Sequence, residues 1–138
     1  MKIDSIKNGF VIDHIPAGKG MEIYKLLGLD KLSCSVAMIM HVPSKQMKKK
    51  DIIKIDADIK INMDVIGYIT PGATVNIIKE GKIIEKSTIS LPDTLTEVIT
   101  CKNPRCITST EQSLPNIFKL TDRENKVYRC YYCEAKHK

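Results

Sequence analysis

Along the first two thirds of the chain, apolar residues fall into short β-rich runs separated by stretches of helical spacing. Gly9-Phe10-Val11-Ile12-Asp13-His14-Ile15-Pro16 opens on glycine, stops on proline and reads as a strand. Met21, Ile23, Tyr24, Leu26 and Leu27 then recur at three- and four-residue intervals, which predicts a helix with Gly28 at its C-terminal cap. Val36–Val42 and Ile52–Ile55 read as two strands joined by a lysine-rich loop. A short helix from Asn62 or Asp64 to Tyr68 precedes Thr70-Pro71-Gly72, and Thr74–Ile78 with Ile83–Lys86 predict a hairpin around Glu80-Gly81. The order β-α-β-β-α-β with one further strand implies an α+β fold. Its first part is a ferredoxin-like antiparallel sheet carrying two helices on one face.

The character of the chain changes at Ser90-Leu91-Pro92-Asp93-Thr94, where the proline favours an extended linker, so residues 1–92 and 93–138 are expected to form separate domains. The second carries Cys101-x4-Cys106 and Cys130-x2-Cys133. Each close pair can turn two thiolates inward, and two pairs complete a tetrahedral Zn²⁺ site with no open position, which is structural rather than catalytic. A piece of about forty residues has too little core to fold without such a staple, so a small all-β, zinc-ribbon-like (rubredoxin-like) domain is expected. Cys34 lies far from the cluster and reads as a small core or surface thiol.

Charge changes the picture less than its total suggests. The net +6 divides evenly, with 14 basic and 11 acidic residues over 1–96 and 8 and 5 over 97–138. The one dense run, Lys45, Lys48, Lys49, Lys50 and Lys54 around Met47, reads as a solvated loop entering a strand. A nucleic-acid-binding zinc ribbon needs a concentrated basic face with aromatic or arginine base contacts, and this dispersed charge with few aromatics argues against nucleic acid as partner. Redox chemistry at Cys130-x2-Cys133 is silenced if all four thiolates hold zinc. No apolar stretch reaches the length of a signal peptide or membrane span, so a cytoplasmic, reducing location without membrane contact is expected.

Gly9 to Ala17, Lys50-Asp51-Ile52-Ile53-Lys54-Ile55, Ala73-Thr74-Val75-Asn76, Lys86-Ser87, Ser90-Leu91-Pro92 and the four-cysteine pattern occur in fixed order across essentially the whole chain. Together they resemble the regulatory chain of aspartate carbamoyltransferase. The resemblance implies a non-catalytic subunit whose first domain binds nucleoside triphosphates of the ATP/CTP class and pairs with a second copy of itself. It implies a zinc domain that docks on the catalytic chain, and a role in allosteric control of pyrimidine biosynthesis.

Residue by residue, the resemblance assigns ribose hydroxyls to Asp13, phosphates to His14 and Lys86, and the base–ribose region to Lys54. Ile6, Val11, Ile78 and Ile83 are then the apolar wall, with Asn76 and Lys50 close by, while Asn103 and Glu134 face the catalytic chain. The residue types suit these tasks, because a triphosphate needs fixed cations and a ribose needs a carboxylate acceptor. Gly81 stands where the family pattern has an aromatic and Thr88 where it has an arginine, and Arg105 and Ala135 also depart from it.

Overall fold

The computed structural model describes residues 6–45 and 48–137, so the opening Met1–Asp4 and Met47 of the lysine run lie outside them. The chain divides into two units, Met1–Ser90 and Leu91–Lys138. In the first, β1 (Gly9–Pro16), α1 (Gly20–Leu26), β2 (Ser35–Ser44), β3 (Lys48–Asp56), α2 (Met63–Ile69), β4 (Thr74–Lys79) and β5 (Lys82–Thr88) follow in order. The strands form one sheet in the order β2-β3-β1-β4-β5, every neighbour antiparallel. β3 lies between β1 and β2, and β1 between β3 and β4, which is the split-βαβ arrangement with β5 added at the β4 edge.

Alternation within the strands builds the core. Phe10, Ile12, Ile53, Ile55 and Val75 point to the helix-covered face and meet Ile23 of α1 and Ile66 of α2. Six of them, Ile12, Ile23, Ile53, Ile55, Ile66 and Val75, are at most 1% exposed, and each contributes roughly 1.5–3 kcal/mol by burial. Gly9 lets β3 approach, since a Cβ there would sit 1.9 Å from the Ile55 carbonyl oxygen. Gly28 follows α1 in the left-handed region (φ 65°), as its capping position requires. Asn62 caps α2, its side chain accepting from the Asp64 N–H at 3.0 Å.

Two features differ from the sequence expectation. Lys48, Lys49 and Lys50 are not in a loop: they pair with Ser44, Pro43 and Val42, so β3 begins four residues earlier than its apolar run. Charged side chains are tolerated there because one sheet face is uncovered and β2 is an edge strand. Both strands flanking β3 also carry a bulge, between Ile12 and Ile15 in β1 and between Ile39 and Val42 in β2. Each bulge holds a histidine at φ 59°, His14 and His41. Between them Asp51 turns into the core, fully buried, and accepts from the N–H groups of Gly18 and Gly20 at 3.0 Å and His41 at 3.1 Å.

The second unit is a three-stranded sheet, order β6-β7-β8, of β6 (Thr94–Thr96), β7 (Ile117–Asp122) and β8 (Val127–Cys130), with a one-turn α3 (Ile107–Thr110). Of the segment expected to be a linker, all but Ser90 is part of this unit. Arg123 donates to the Leu91 carbonyl at 2.9 Å and pairs with Asp93, the Tyr128 hydroxyl donates to the Pro92 carbonyl, and the Asp93 carbonyl accepts from Leu120 N–H at 2.8 Å. Extended backbone before and at a proline leaves carbonyls free, and here side chains take them. Among the described residues no helix is long and apolar enough to cross a membrane.

Candidate functional site

Two turns carry the four cysteines. In the first, the Asn103 carbonyl accepts from Cys106 N–H at 3.0 Å and the Asn103 side chain from Arg105 N–H at 3.1 Å, with Pro104 fixing φ at the second position. In the second, the Cys130 carbonyl accepts from Glu134 N–H at 2.9 Å, closing the turn over Tyr131 and Tyr132. The four sulfurs lie within 4.8 Å of one another, with Cys101–Cys133 at 3.6 Å and Cys106–Cys130 at 3.7 Å. Four sulfurs at ~2.3 Å from a tetrahedral zinc stand about 3.8 Å apart, so the donor set fits that ion in size as well as in chemistry.

The face of the larger sheet opposite its helices carries the other candidate residues. Lys54, Val11, Asn76 and Lys86 stand directly across from one another on β3, β1, β4 and β5, forming a single cross-strand row. Ile78 and Ile83 are paired on one side of this row. On the other side lies Asp13, whose carboxylate binds the Lys50 ammonium at 2.9 Å and the His14 N–H at 2.6 Å. The bulge turns His14 so that its Nδ1 meets the Thr74 hydroxyl at 3.1 Å. The Asn76 side-chain oxygen is buried and has no hydrogen-bond partner among the described residues. Ile6 is buried just ahead of β1, and Lys7 beside it accepts Gly81 N–H at 2.9 Å. Glu80 (φ 52°) and Gly81 (φ 77°) form the two-residue turn joining β4 to β5, a left-handed pair of positions that suits glycine better than an aromatic.

Comparison with known proteins decides the family. Residues 1–90 match the model of the aspartate carbamoyltransferase regulatory chain, allosteric domain, and residues 93–138 that of its metal binding domain. The chain belongs to the aspartate carbamoyltransferase regulatory chain family. Regulatory chains of Clostridium botulinum (51% identity over 134 residues, 97% of this chain and 92% of the relative) and Clostridium tetani (48% over 139 residues, 100% and 96%) are among its relatives. That of Bifidobacterium longum is 41% identical over 138 residues, covering 100% and 99%.

As a regulatory chain the protein is a non-catalytic subunit, and its four cysteines are the ligands of one structural zinc. Residues not singled out in the sequence prepare that site. The Thr108 hydroxyl donates to the Cys106 sulfur at 3.1 Å, and the Asn116 side chain accepts from Cys101 N–H at 3.2 Å. Backbone N–H groups two positions onward point at each sulfur: Asn103 at Cys101, Thr108 at Cys106, Tyr132 at Cys130 and Ala135 at Cys133. These dipoles offset thiolate charge and orient the ligands. The protein groups leave the sulfurs unevenly poised: burial pushes Cys101 up to about 12, whereas the Thr108 hydroxyl holds Cys106 down at about 7. A bound divalent cation favours the thiolate at every position. A threonine two residues after a cysteine at a helix start was the available signal for Thr108; Asn116 had none.

At Asp13, burial raises the carboxyl, but the Lys50 ammonium and the His14 N–H outweigh it and hold the group below the usual 3.8. Its stabilising contribution is therefore present at neutral pH and is lost only as pH falls through that lowered value.

Proposed function

We propose that residues 1–92 of this regulatory chain bind a nucleoside triphosphate of the ATP/CTP class on the open sheet face. Residues 93–138 dock on the catalytic chain of aspartate carbamoyltransferase, so that nucleotide levels in the cytoplasm control pyrimidine biosynthesis. The first domain pairs with a second copy of itself. The observation that carries the reading is the row Lys54–Val11–Asn76–Lys86, which sets two cations on either side of an apolar position and a buried amide oxygen lacking a partner. An unsatisfied buried oxygen costs roughly 1–3 kcal/mol, which a donor on a bound ligand recovers. In this reading Lys86 and His14 meet the phosphates and Asp13 the ribose hydroxyls, with Lys50 holding Asp13 in place. Lys54 lies by the base and ribose, against the wall of Ile6, Val11, Ile78 and Ile83. An effector shifts the partner only as far as its affinities for the two states differ, so the site needs selectivity between states rather than extreme affinity.

Calorimetric titration of the whole chain with a nucleoside and its triphosphate tests this. Lys86→Ala should weaken triphosphate binding about tenfold or more while leaving nucleoside binding nearly unchanged, because a cation aimed at phosphates adds little to a ligand without them. Asp13→Ala should weaken both. Equal losses for the two ligands in Lys86→Ala would remove that residue from the phosphate end of the site. On the holoenzyme, catalytic activity that is indifferent to ATP and CTP would sink the regulatory reading.

A further inference from the structure

On the outer face of the β7–β8 pair, Lys119 and Arg129 stand directly opposite each other, and Lys136 continues the line through the next bridge from Arg129. Like charges placed across a strand pair repel, so the sheet alone gives no reason for this row. Neither Lys119 nor Arg129 forms an ion pair among the described residues. The Lys119 ammonium lies 5.2 Å from the centre of the Tyr131 ring, and the Arg129 guanidinium donates to the Glu134 backbone carbonyl at 3.2 Å. Lys119, Arg129, Tyr131 and Glu134 line a cavity of ≈ 550 Å³, and Tyr131 is 54% exposed.

We propose that this face seats a carboxylate-bearing loop of the catalytic chain, with an Asp or Glu side chain lying between Lys119 and Arg129 and the Tyr131 ring packing against the loop beside it. The inference rests on the reading that the zinc domain docks on that chain. It adds which face is used and what chemistry the partner presents. A carboxylate fits the fork of a guanidinium and takes a second contact from an ammonium. An exposed tyrosine beside such a pair is the kind of anchor that dominates interface energetics. The turn Cys130–Cys133 supplies both Tyr131 and the carbonyl that fixes Arg129, so the metal centre holds the docking face in shape.

The test is association of the full-length chain with the aspartate carbamoyltransferase catalytic chain, followed by sedimentation over a series of salt concentrations. Three variants are compared: Lys119→Gln/Arg129→Gln, Lys119→Glu/Arg129→Glu, and Lys60→Glu as a control on the other unit. The neutral double variant should keep its zinc content and its thermal stability, because repulsion has been removed, yet bind at least about tenfold more weakly with a shallower salt dependence. The charge-reversed variant should bind more weakly still, and the control should match the parent. If the neutral variant assembles with the parent's affinity and salt dependence, the face is not the docking surface. If the parent itself does not assemble with the catalytic chain, the docking role of the zinc domain fails instead.

Discussion

Removing zinc with a strong chelator is expected to unfold residues 91–138 and release the catalytic partner while nucleotide binding by the larger sheet survives. Among the described residues the second unit buries eight apolar side chains: Leu91, Leu95, Val98, Phe118, Tyr128 and the cysteines Cys101, Cys106 and Cys130. Three of its core positions are thus metal ligands, and ordering its backbone costs ~1–2 kcal/mol per residue. The metal has to supply most of the balance, and structural zinc in small domains is worth about 10 kcal/mol or more. Cys106→Ala should act in the same direction, because three thiolates no longer satisfy the tetrahedron. Lowering the pH should do so too, since the ligands bind only as thiolates. Hydrogen exchange provides the readout. Amides of Leu95, Phe118 and Tyr128 should lose protection after chelation while those of Ile12 and Ile53 keep it. Protection that persists at Phe118 after complete metal loss would show that the sheet folds without the ion.

In the larger unit the most damaging single polar change is expected at Asp51. Its carboxylate gathers the N–H groups of Gly18, Gly20 and His41, tying the loop after β1, the start of α1 and the bulge of β2 to the middle of β3. Asp51→Ala leaves three inward-facing donors without an acceptor and should destabilise the unit by about 3–5 kcal/mol, since each stranded buried group costs ~1–3 kcal/mol. Asp51→Asn should cost less, because its amide oxygen can still accept from Gly18 and Gly20 and only the His41 N–H is left facing the amide nitrogen. Urea unfolding of the whole chain, followed through the exchange of β1 and β3 amides, measures both. An Asp51→Ala variant within about 1 kcal/mol of the parent would show that water replaces the carboxylate at no cost.

What the sequence made legible were the elements with a punctuating residue. β1 spans the run from Gly9 to Pro16 that glycine and proline bracket, α1 ends one residue before the expected Leu27, and Glu80-Gly81 forms the expected turn. The cysteine spacing led directly to a cluster of sulfurs at zinc distances. What it concealed were features set by pairing partners rather than by local composition. The lysines of β3 look like a loop until β2 is seen beside them, and neither bulge carries a marker, because histidine is an ordinary strand residue. In the sequence Asp51 stands out only through its place in the family pattern Lys50-Asp51-Ile52-Ile53-Lys54-Ile55. A lone carboxylate ahead of Ile52-Ile53 was its sole physical hint, and its three donors come from 31 to 33 residues upstream and 10 residues upstream in the chain. The stripe of Lys119 and Arg129 is likewise a matter of register, invisible when the two are ten positions apart in sequence.

The place of β1 in the sheet bears on how the chain is made. β1 is the third of five strands in space, and both of its neighbours, β3 and β4, come later in the chain. While a ribosome extends the polypeptide from its N-terminus, Phe10, Val11 and Ile12 emerge early with both strand edges bare. They cannot be enclosed until Lys79 at the end of β4 has left the exit tunnel. Such non-local pairing folds slowly and exposes an aggregation-prone segment meanwhile. Helix α1 is the first partner available to shelter Ile12 and Ile15, since its Ile23 follows within a few residues and meets them in the finished core. The interval between the synthesis of Ile23 and that of Lys79 is therefore when the nascent subunit is most exposed to capture by other chains, and when a chaperone has most to protect.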